Sequence, residues 1–287
     1  MTLRQHIDAA SLLQESIPGI QTYYLSREQD SGGFSAGRYI PATVEDTYHA
    51  IKCLHYLTKF IRQSTNSDME CVFPNSIAVE RHIDFLKGRL DQEWSSSRRL
   101  YHLLFCVNTL DSRHTYDICP DKEKIREFLL FRVKEMPALD ECFYTLRIAS
   151  LFEHGLSIPL DIFPHLSDYS VKSVSELRML LYLSKRQCHS AERQAICQQW
   201  IPWLHLCRNG DGGYGFFPGT TSYIENVFHA VMAYRLMGSS PEKPYEITGF
   251  IRACRSARGG FGRRCQGVPF PDSTWYGTGT LIHLNSI

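Results

Sequence analysis

The chain has 287 residues, of which 43% are hydrophobic and 12% aromatic, so it can bury a sizeable core. Its formal charge is +1 and its charged residues are well mixed, which argues against a nucleic-acid partner. The first residues include Arg4, His6 and Asp8, where a secretion signal needs an unbroken apolar stretch, and no later run is long enough to span a membrane. We therefore expect a cytoplasmic protein without a transmembrane segment.

Helical periodicity of apolar residues runs along the chain in pairs of segments. A first helix is predicted over 1–24, with Pro18 and Gly19 disturbing its end, and it precedes a glycine turn and a helix over 43–60. The later pairs are 76–91 with 97–110, 121–135 with 139–155, 158–166 with 173–185, 190–206 with 222–238, and 244–256 with 272–286. No run of residues has the alternation typical of strands.

A Gly-Gly-aromatic phrase occurs three times and divides the chain into repeats. The three copies are Gly32-Gly33-Phe34, Gly212-Gly213-Tyr214 and Gly259-Gly260-Phe261. Each is followed by a linker containing proline and then by a polar pair and an aromatic residue: Glu45/Asp46/Tyr48, Glu225/Asn226/Phe228 and Asp272/Ser273/Trp275. Repeated helix pairs predict a closed ring of two concentric helix layers, with the second helix of each pair inside. We expect one domain over 1–287.

The second helices would bring their N-terminal ends to one rim of a common cavity, because equivalent repeat positions project to equivalent places around a ring. The residues expected there are Glu45, Asp46, Arg98, Arg99, Asp140, Glu141, Glu176, Glu225 and Asp272. An alternative is that these acids only stabilise the helix N-termini.

The ten cysteines contain no Cys-x-x-Cys pattern and mostly lie among apolar residues. We expect buried free thiols rather than disulfides.

The repeats resemble those of class II terpene cyclases and of the β subunits of protein prenyltransferases. The resemblance is carried by GGFSAGRYIPATVEDTYHAI over 32–51 and by its two later copies. It covers the first and last thirds of the chain, whereas the middle, 69–185, fits only by its helical phase. The resemblance implies an all-α fold, an α/α toroid of six helix pairs, and an isoprenoid substrate. The chemistry has to be argued from the site, because one toroid serves several reactions.

The first functional hypothesis is a single-domain class II terpene cyclase. Such enzymes protonate an alkene or epoxide with the third residue of an Asp-x-Asp-Asp-Thr motif, and the matching phrase here is TVEDT over 43–47. The resemblance implies that Glu45 is the acid, supported by Asp46 and His49. The chemistry needs a protonated carboxyl group in a dry pocket. Aromatic residues expected to line that pocket are Tyr48, Phe143, Tyr144, Tyr214, Phe216, Phe228, Trp275 and Tyr276.

The motif differs from the cyclase pattern at two positions. Thr43 replaces its first Asp, and Glu45 replaces the Asp that acts as the acid. The carboxylate missing at Thr43 could come from a neighbouring helix, at Asp140 or Asp272.

The second hypothesis is a protein that resembles the prenyltransferase β subunit. In that family an Asp-x-Cys and a His hold zinc. Asp272 matches the Asp, Thr274 stands where the Cys would be, and His49 and His229 follow the repeat aromatic as the zinc His does. We therefore do not expect zinc.

A diphosphate contact is implied by the same resemblance. The sequence GGFGRR over 259–264 is similar to the family's Gly-Gly-Phe-x-Gly-Arg, and its last residue, Arg264, falls at the place of the diphosphate-binding Arg. Arg38, Arg147 and Arg263 are possible assistants. No cofactor is expected apart from Mg²⁺ if the substrate is a diphosphate, and a partner subunit is expected only under this hypothesis. A third hypothesis is a toroid without catalysis that binds a lipid or a protein.

Overall fold

The computed structural model describes residues 8–65, 78–111, 122–152, 156–166 and 169–286. These residues form twelve α-helices and one short 3-10 helix. In chain order the α-helices are α1 (Ala9–Leu25), α2 (Val44–Thr65), α3 (Val79–Lys87), α4 (Leu90–Glu93), α5 (Ser97–Leu110), α6 (Lys122–Glu135), α7 (Leu139–Ala149), α8 (Val174–Gln187), α9 (Ser190–Leu206), α10 (Ile224–Met237), α11 (Pro244–Ala253) and α12 (Pro271–Leu284). Within the described ranges, β-pairing is limited to isolated bridges around the glycine turns.

Six of the helices pack side by side in a closed inner ring. Helix α2 packs against α5, α5 against α7, α7 against α8, α8 against α10 and α10 against α12. Helix α12 then packs against α2, so that the last inner helix meets the first. The predicted α/α toroid is confirmed.

The outer helices cover this ring. Helix α1 packs against α12, α11 and α2, whereas α3 and α4 lie on α5, α6 on α7, α9 on α8 and α10, and α11 on α12. The prediction of an outer helix over 158–166 is wrong, because the segment contains only the 3-10 turn Leu160–Ile162, which packs against α6. Pro159 and Pro164 flank this turn, and a proline restricts the residue before it to extended backbone.

Helix α1 continues through Pro18 and Gly19 to Leu25, where the sequence predicted a disturbed end. Pro18 is exposed, so the carbonyl group that loses its helical donor remains open to water. Gly19 has a packing role, because its carbonyl oxygen lies 2.2 Å from where a Cβ on Gly259 would be. The small residue allows the third glycine turn to approach the helix closely.

The three glycine turns each lie against the backbone of an outer helix. Gly32, Gly212 and Gly259 have φ angles of 87°, 84° and 83°, which L-residues with a side chain rarely adopt. A Cβ on Gly32 would lie 2.2 Å from the carbonyl oxygen of Arg81 on α3, and one on Gly212 would lie 2.3 Å from that of Glu246 on α11. The first Gly of each phrase therefore sets the distance between neighbouring repeats.

Two of the three linkers after the glycine turns cap inner helices of neighbouring repeats. The amide of Val174, the first residue of α8, donates to the carbonyl oxygen of Phe216 at 3.0 Å. The amide of Ile224, the first residue of α10, donates to that of Arg263 at 2.9 Å. We call the three linkers, 35–43, 215–223 and 262–270, the linker rim. They end where α2, α10 and α12 begin, and these helices are consecutive around the ring.

Two predictions from composition can be compared with the structure. Among the described residues, no helix combines the length and the apolar character that crossing a membrane requires. The eight cysteines in this part of the chain are free thiols, as predicted, and five of them are buried: Cys53, Cys106, Cys142, Cys207 and Cys254.

Candidate functional site

Two adjoining cavities lie at the centre of the ring, and we call them together the central cavity. The larger, of about 120 Å³, is lined by seven aromatic side chains, by Met232 and His283, and by the basic residues Lys52, Arg147 and Arg178. The smaller, of about 60 Å³, shares several of these residues and adds polar side chains from the first two turns of the inner helices: His49, Arg98, Ser175, Glu225 and His229.

Lys52 enters the larger cavity from α2, and no carboxylate in the described structure pairs with it. Its Nζ donates a hydrogen bond to the hydroxyl of Tyr48 at 2.6 Å and lies 4.6 Å from the ring centroid of Trp275. Burial lowers the pKa of Lys52 well below its usual value, and the positive charges of Arg147 and Arg178 lower it further. The lining of the larger cavity, as far as the chain is described, contains no Asp or Glu.

Two arginines bring further positive charge to the larger cavity. Arg147 of α7 donates from Nη2 to the hydroxyl of Tyr101 at 2.5 Å. Arg178 of α8 places its guanidinium carbon 4.8 Å from the ring centroid of Phe143, and its buried Nε has no hydrogen-bond partner in the described structure. Guanidinium groups stay protonated, so the ring centre is positively charged even when the Lys52 amine is neutral.

The smaller cavity contains a carboxylate and imidazole pair. Nε2 of His229 lies 3.6 Å from Oε1 of Glu225, one turn earlier on α10. Nδ1 of His229 has no hydrogen-bond partner among the described residues, and neither has Nδ1 or Nε2 of His49, which is 3% exposed. Buried polar atoms usually have partners, so these three nitrogen atoms indicate a place where a ligand or bound water makes hydrogen bonds.

The imidazoles around the cavity are neutral at neutral pH. Burial lowers the pKa of His49 to about 3 and that of His229 to about 4. Burial also holds the pKa of His102 well below its usual value; its ring stacks on Tyr48 with 3.9 Å between centroids. The His229 imidazole beside it lowers the pKa of Glu225, which therefore stays ionised.

Glu45, the predicted acid, is not in a dry pocket. Its side chain is 56% exposed, and its Oε1 accepts a hydrogen bond from Nη2 of Arg98 on the neighbouring α5 at 2.5 Å. The predicted contact between His49 and Glu45 is wrong, because the His49 ring is buried among Tyr48, His102 and Tyr276. The equivalent contact forms in the second repeat, between His229 and Glu225. The role of Glu45 as a proton donor stays a prediction.

Asp46 and Thr43 form the N-terminal cap of α2. The Thr43 hydroxyl donates to Oδ2 of Asp46 at 2.8 Å, and the Asp46 amide donates to the same hydroxyl oxygen at 3.0 Å. Burial raises the pKa of Asp46, and the bond from Thr43 opposes that shift. Thr43, which replaces the first acid of the cyclase motif, therefore stabilises the N-terminus of α2.

Six of the predicted aromatic residues line the central cavity: Tyr48, Phe143, Tyr144, Phe228, Trp275 and Tyr276. Tyr214 and Phe216 do not. Tyr214 belongs to the second glycine turn and is fully buried there, whereas Phe216 lies on the linker rim with 47% of its surface exposed. Both precede the inner helix, so neither can reach the ring centre.

The predicted diphosphate contact, Arg264, lies on the linker rim with an exposed side chain. Its neighbour Arg263 binds Asp272, with 2.9 Å between Nη2 and Oδ2, and Arg38 is also exposed. Of the four arginines proposed from the sequence to bind a diphosphate, Arg38, Arg147, Arg263 and Arg264, only Arg147 lines the central cavity.

The residues at the zinc position of the prenyltransferase pattern do not fit zinc. The Thr274 hydroxyl is fully buried and accepts a hydrogen bond from the amide of Phe261 at 3.1 Å, as Thr47 does from Phe34 in the first repeat at 2.9 Å. Throughout the described ranges, no group of three or more His, Cys, Asp or Glu residues could hold a metal. Thr274 therefore has a structural role beneath the glycine turn.

Lys52 and Arg178 were not among the predicted site residues. A signal for Lys52 is present in the repeats, because it stands four residues after the repeat aromatic, where the other copies have Met232 and Gly279. A cation at a position that is apolar elsewhere indicates a function specific to one repeat. Arg178 lies in the middle of the chain, where no glycine phrase aligns it with the other copies.

Comparison with protein families agrees with this architecture. A model of the prenyltransferase alpha-alpha toroid domain matches residues 4–130 and 167–270, which is more than half of the chain. A search of curated proteins finds no match. The family indicates an isoprenoid-related enzyme and leaves the choice between cyclisation and prenyl transfer open. The chain belongs to the prenyltransferase alpha-alpha toroid family.

Proposed function

We propose that this toroid acts on an isoprenoid diphosphate and holds the diphosphate at the ring centre with Lys52, Arg147 and Arg178. The observation that supports the proposal is the charge of the larger cavity. Three basic side chains from three inner helices line it, and its described lining has no carboxylate. This proposal favours the prenyltransferase-like hypothesis over protonation-initiated cyclisation.

The energetic argument is that buried cations without counter-ions are costly. Transfer of a charged group from water into a protein interior is compensated only by an opposite charge and hydrogen bonds. Tyrosine hydroxyls and ring faces supply part of this compensation to Lys52 and Arg147. A diphosphate supplies the rest, because guanidinium groups bind its oxygens in pairs and an adjacent anion raises the pKa of Lys52 again.

The isoprenoid part of the proposal is supported by the family and by the cavity wall. Trp275, Phe143 and Phe228 offer apolar ring faces beside the three cations. The two cavities, about 120 and 60 Å³, are smaller than the roughly 300 Å³ at which ligand pockets usually begin. A short prenyl group is therefore favoured over a long polyprenyl chain.

The same geometry disfavours a protonation-initiated cyclase. A carbocation formed beside three cations is destabilised by their charge. As the bond between carbon and diphosphate oxygen breaks, by contrast, negative charge develops on the leaving group. Arg147, Arg178 and Lys52 would stabilise that charge. The neutral His229, oriented by Glu225, is placed to accept a proton from an attacking group.

Titration calorimetry tests the proposal with dimethylallyl diphosphate, farnesyl diphosphate and inorganic diphosphate, each with and without Mg²⁺. Lys52→Met introduces the residue of the equivalent position in the second repeat. We expect it to weaken binding of dimethylallyl diphosphate about 10- to 100-fold, the worth of one charge-assisted hydrogen bond. Lys87→Met is the matched control, because Lys87 is exposed on the outer helix α3. Equal affinities of wild type and Lys52→Met would contradict the proposal.

The stability of Lys52→Met gives an independent measurement. Because the variant removes a largely buried amine that pairs with no carboxylate of the described structure, we expect the unliganded protein to melt at a higher temperature than wild type. A lower melting temperature would show that the hydrogen bond of Lys52 to Tyr48 and its contact with the Trp275 ring stabilise the protein by more than the burial of the amine costs.

Mass spectrometry of products separates the remaining hypotheses. Under the proposal, the protein transfers the prenyl group of a prenyl diphosphate to a nucleophile, which is water when no other acceptor is added, so that the prenyl alcohol and inorganic diphosphate form together. Glu45→Gln keeps this activity. An isomeric product that disappears in Glu45→Gln would support the cyclase instead. Binding without turnover would support a toroid that only binds its ligand.

A further inference from the structure

Exposed apolar side chains concentrate on the linker rim. Seven of the eleven large hydrophobic residues that are exposed in the described structure lie there: Tyr39, Ile40, Phe216, Phe217, Tyr223, Val268 and Phe270. Tyr39 is 91% exposed and Val268 69%. Single exposed apolar residues are ordinary, but a group of them on one face of a protein marks an interaction surface.

Tight turns hold these side chains outward. Each linker closes a hydrogen bond between residues three apart: the amide of Ile40 donates to Gly37, that of Thr220 to Phe217, and that of Gly267 to Arg264. The second and third linkers are joined to the ring by hydrogen bonds from α8 and α10, and the first closes on its glycine turn through the bond from the Thr43 amide to the carbonyl oxygen of Phe34. The surface is ordered before anything binds.

The charge of the linkers is of one sign. The three linkers contain Arg38, Arg263 and Arg264 and no Asp or Glu. The acids that follow at the helix starts offset part of this charge: Glu45 pairs with Arg98 and Asp272 with Arg263, whereas Asp46 is bonded to Thr43 and Glu225 lies beside the neutral His229. Arg38 and Arg264 are exposed beside the aromatic tips.

We propose that the linker rim binds a membrane surface containing anionic lipids. Tyr and Phe side chains favour the boundary between headgroups and acyl chains, and arginines beside them attract anionic headgroups. The apolar residues stand on three separate linkers, an arrangement that suits insertion into a soft surface. This proposal does not rest on the diphosphate at the ring centre and can fail independently of it.

Sedimentation of the full chain with vesicles tests the proposal. We expect wild type to sediment with vesicles of phosphatidylcholine and phosphatidylglycerol, and less with phosphatidylcholine alone. Phe217→Ser should weaken binding about fivefold or more, since it removes much of one inserted aromatic side chain. The matched control is Phe131→Ser on α6, which is 59% exposed away from the rim and should bind as wild type does.

A charge reversal tests the arginines separately. Arg264→Glu should reduce sedimentation with the anionic vesicles and leave the weak binding to phosphatidylcholine unchanged. Absence of wild-type binding to both vesicles, or an equal loss in Phe131→Ser and Phe217→Ser, would overturn the proposal. A wild-type dimer in sedimentation velocity that Phe217→Ser dissociates, together with no vesicle binding, would assign the rim to self-association instead.

Discussion

Gly259→Ala is expected to lower the free energy of unfolding by about 3–5 kcal/mol, because two penalties add. The backbone at Gly259 has a φ angle of 83°, which disfavours any residue with a Cβ. The new methyl group would also lie 2.2 Å from the carbonyl oxygen of Gly19 on α1, and backbone cannot move as a side chain can. Urea denaturation followed by circular dichroism measures the loss.

Gly238→Ala is the matched control for this prediction. Gly238 ends α10 with a φ angle of 71°, yet a Cβ there meets nothing within 4 Å. We expect it to cost about 1–2 kcal/mol, the conformational penalty alone. If both variants lose the same stability, the close approach of the third glycine turn to α1 does not hold the ring together.

Acidification from pH 7 to pH 5 is expected to destabilise the protein by about 2 kcal/mol for each fully buried histidine. The folded-state pKa is about 3 for His49 and about 4 for His229, and it is well below the usual value for His102. The unfolded chain takes up protons near pH 6.5 that the folded protein does not bind, so stability falls as the pH decreases through this range. Below about pH 4 the contribution of His229 levels off.

His49→Phe measures the contribution of His49 to this loss of stability at acid pH. The variant fills a site already surrounded by aromatic rings, and the difference between its stabilities at pH 7 and pH 5 should be about 2 kcal/mol smaller than for wild type. His189→Phe, at the exposed residue just before α9, controls for loss of a histidine from the surface. An unchanged difference in His49→Phe would mean that His49 is accessible to water and protons in the folded state.

The fold was predictable because its signals are local. Glycine at a positive φ angle, a linker and a helix start lie within about twenty residues, and their repetition in three copies indicates the ring. The fourth outer helix was mispredicted for a local reason as well: an apolar pattern over 158–166 contains two prolines that stop a helix.

The site was less predictable because it depends on which helices face each other. Lys52, Arg147 and Arg178 are far apart in sequence, and only the packing of α2 with α5, α5 with α7 and α7 with α8 brings them to one cavity. The ion pair of Glu45 likewise depends on Arg98 on a neighbouring helix. A motif alone does not reveal the charges that other repeats supply.

Closure of the ring changes what a repeat protein can do in evolution. An open array of helix pairs gains or loses a pair at modest cost, since each pair contacts only its neighbours and the end pairs shield the core. Here α12 meets α2 and α1 meets α11, so every inner helix of the described structure has a neighbour on both sides. Deleting a pair would open a gap that no shielding unit covers. Such a fold diversifies by exchanging side chains at fixed positions, as Lys52, Met232 and Gly279 illustrate.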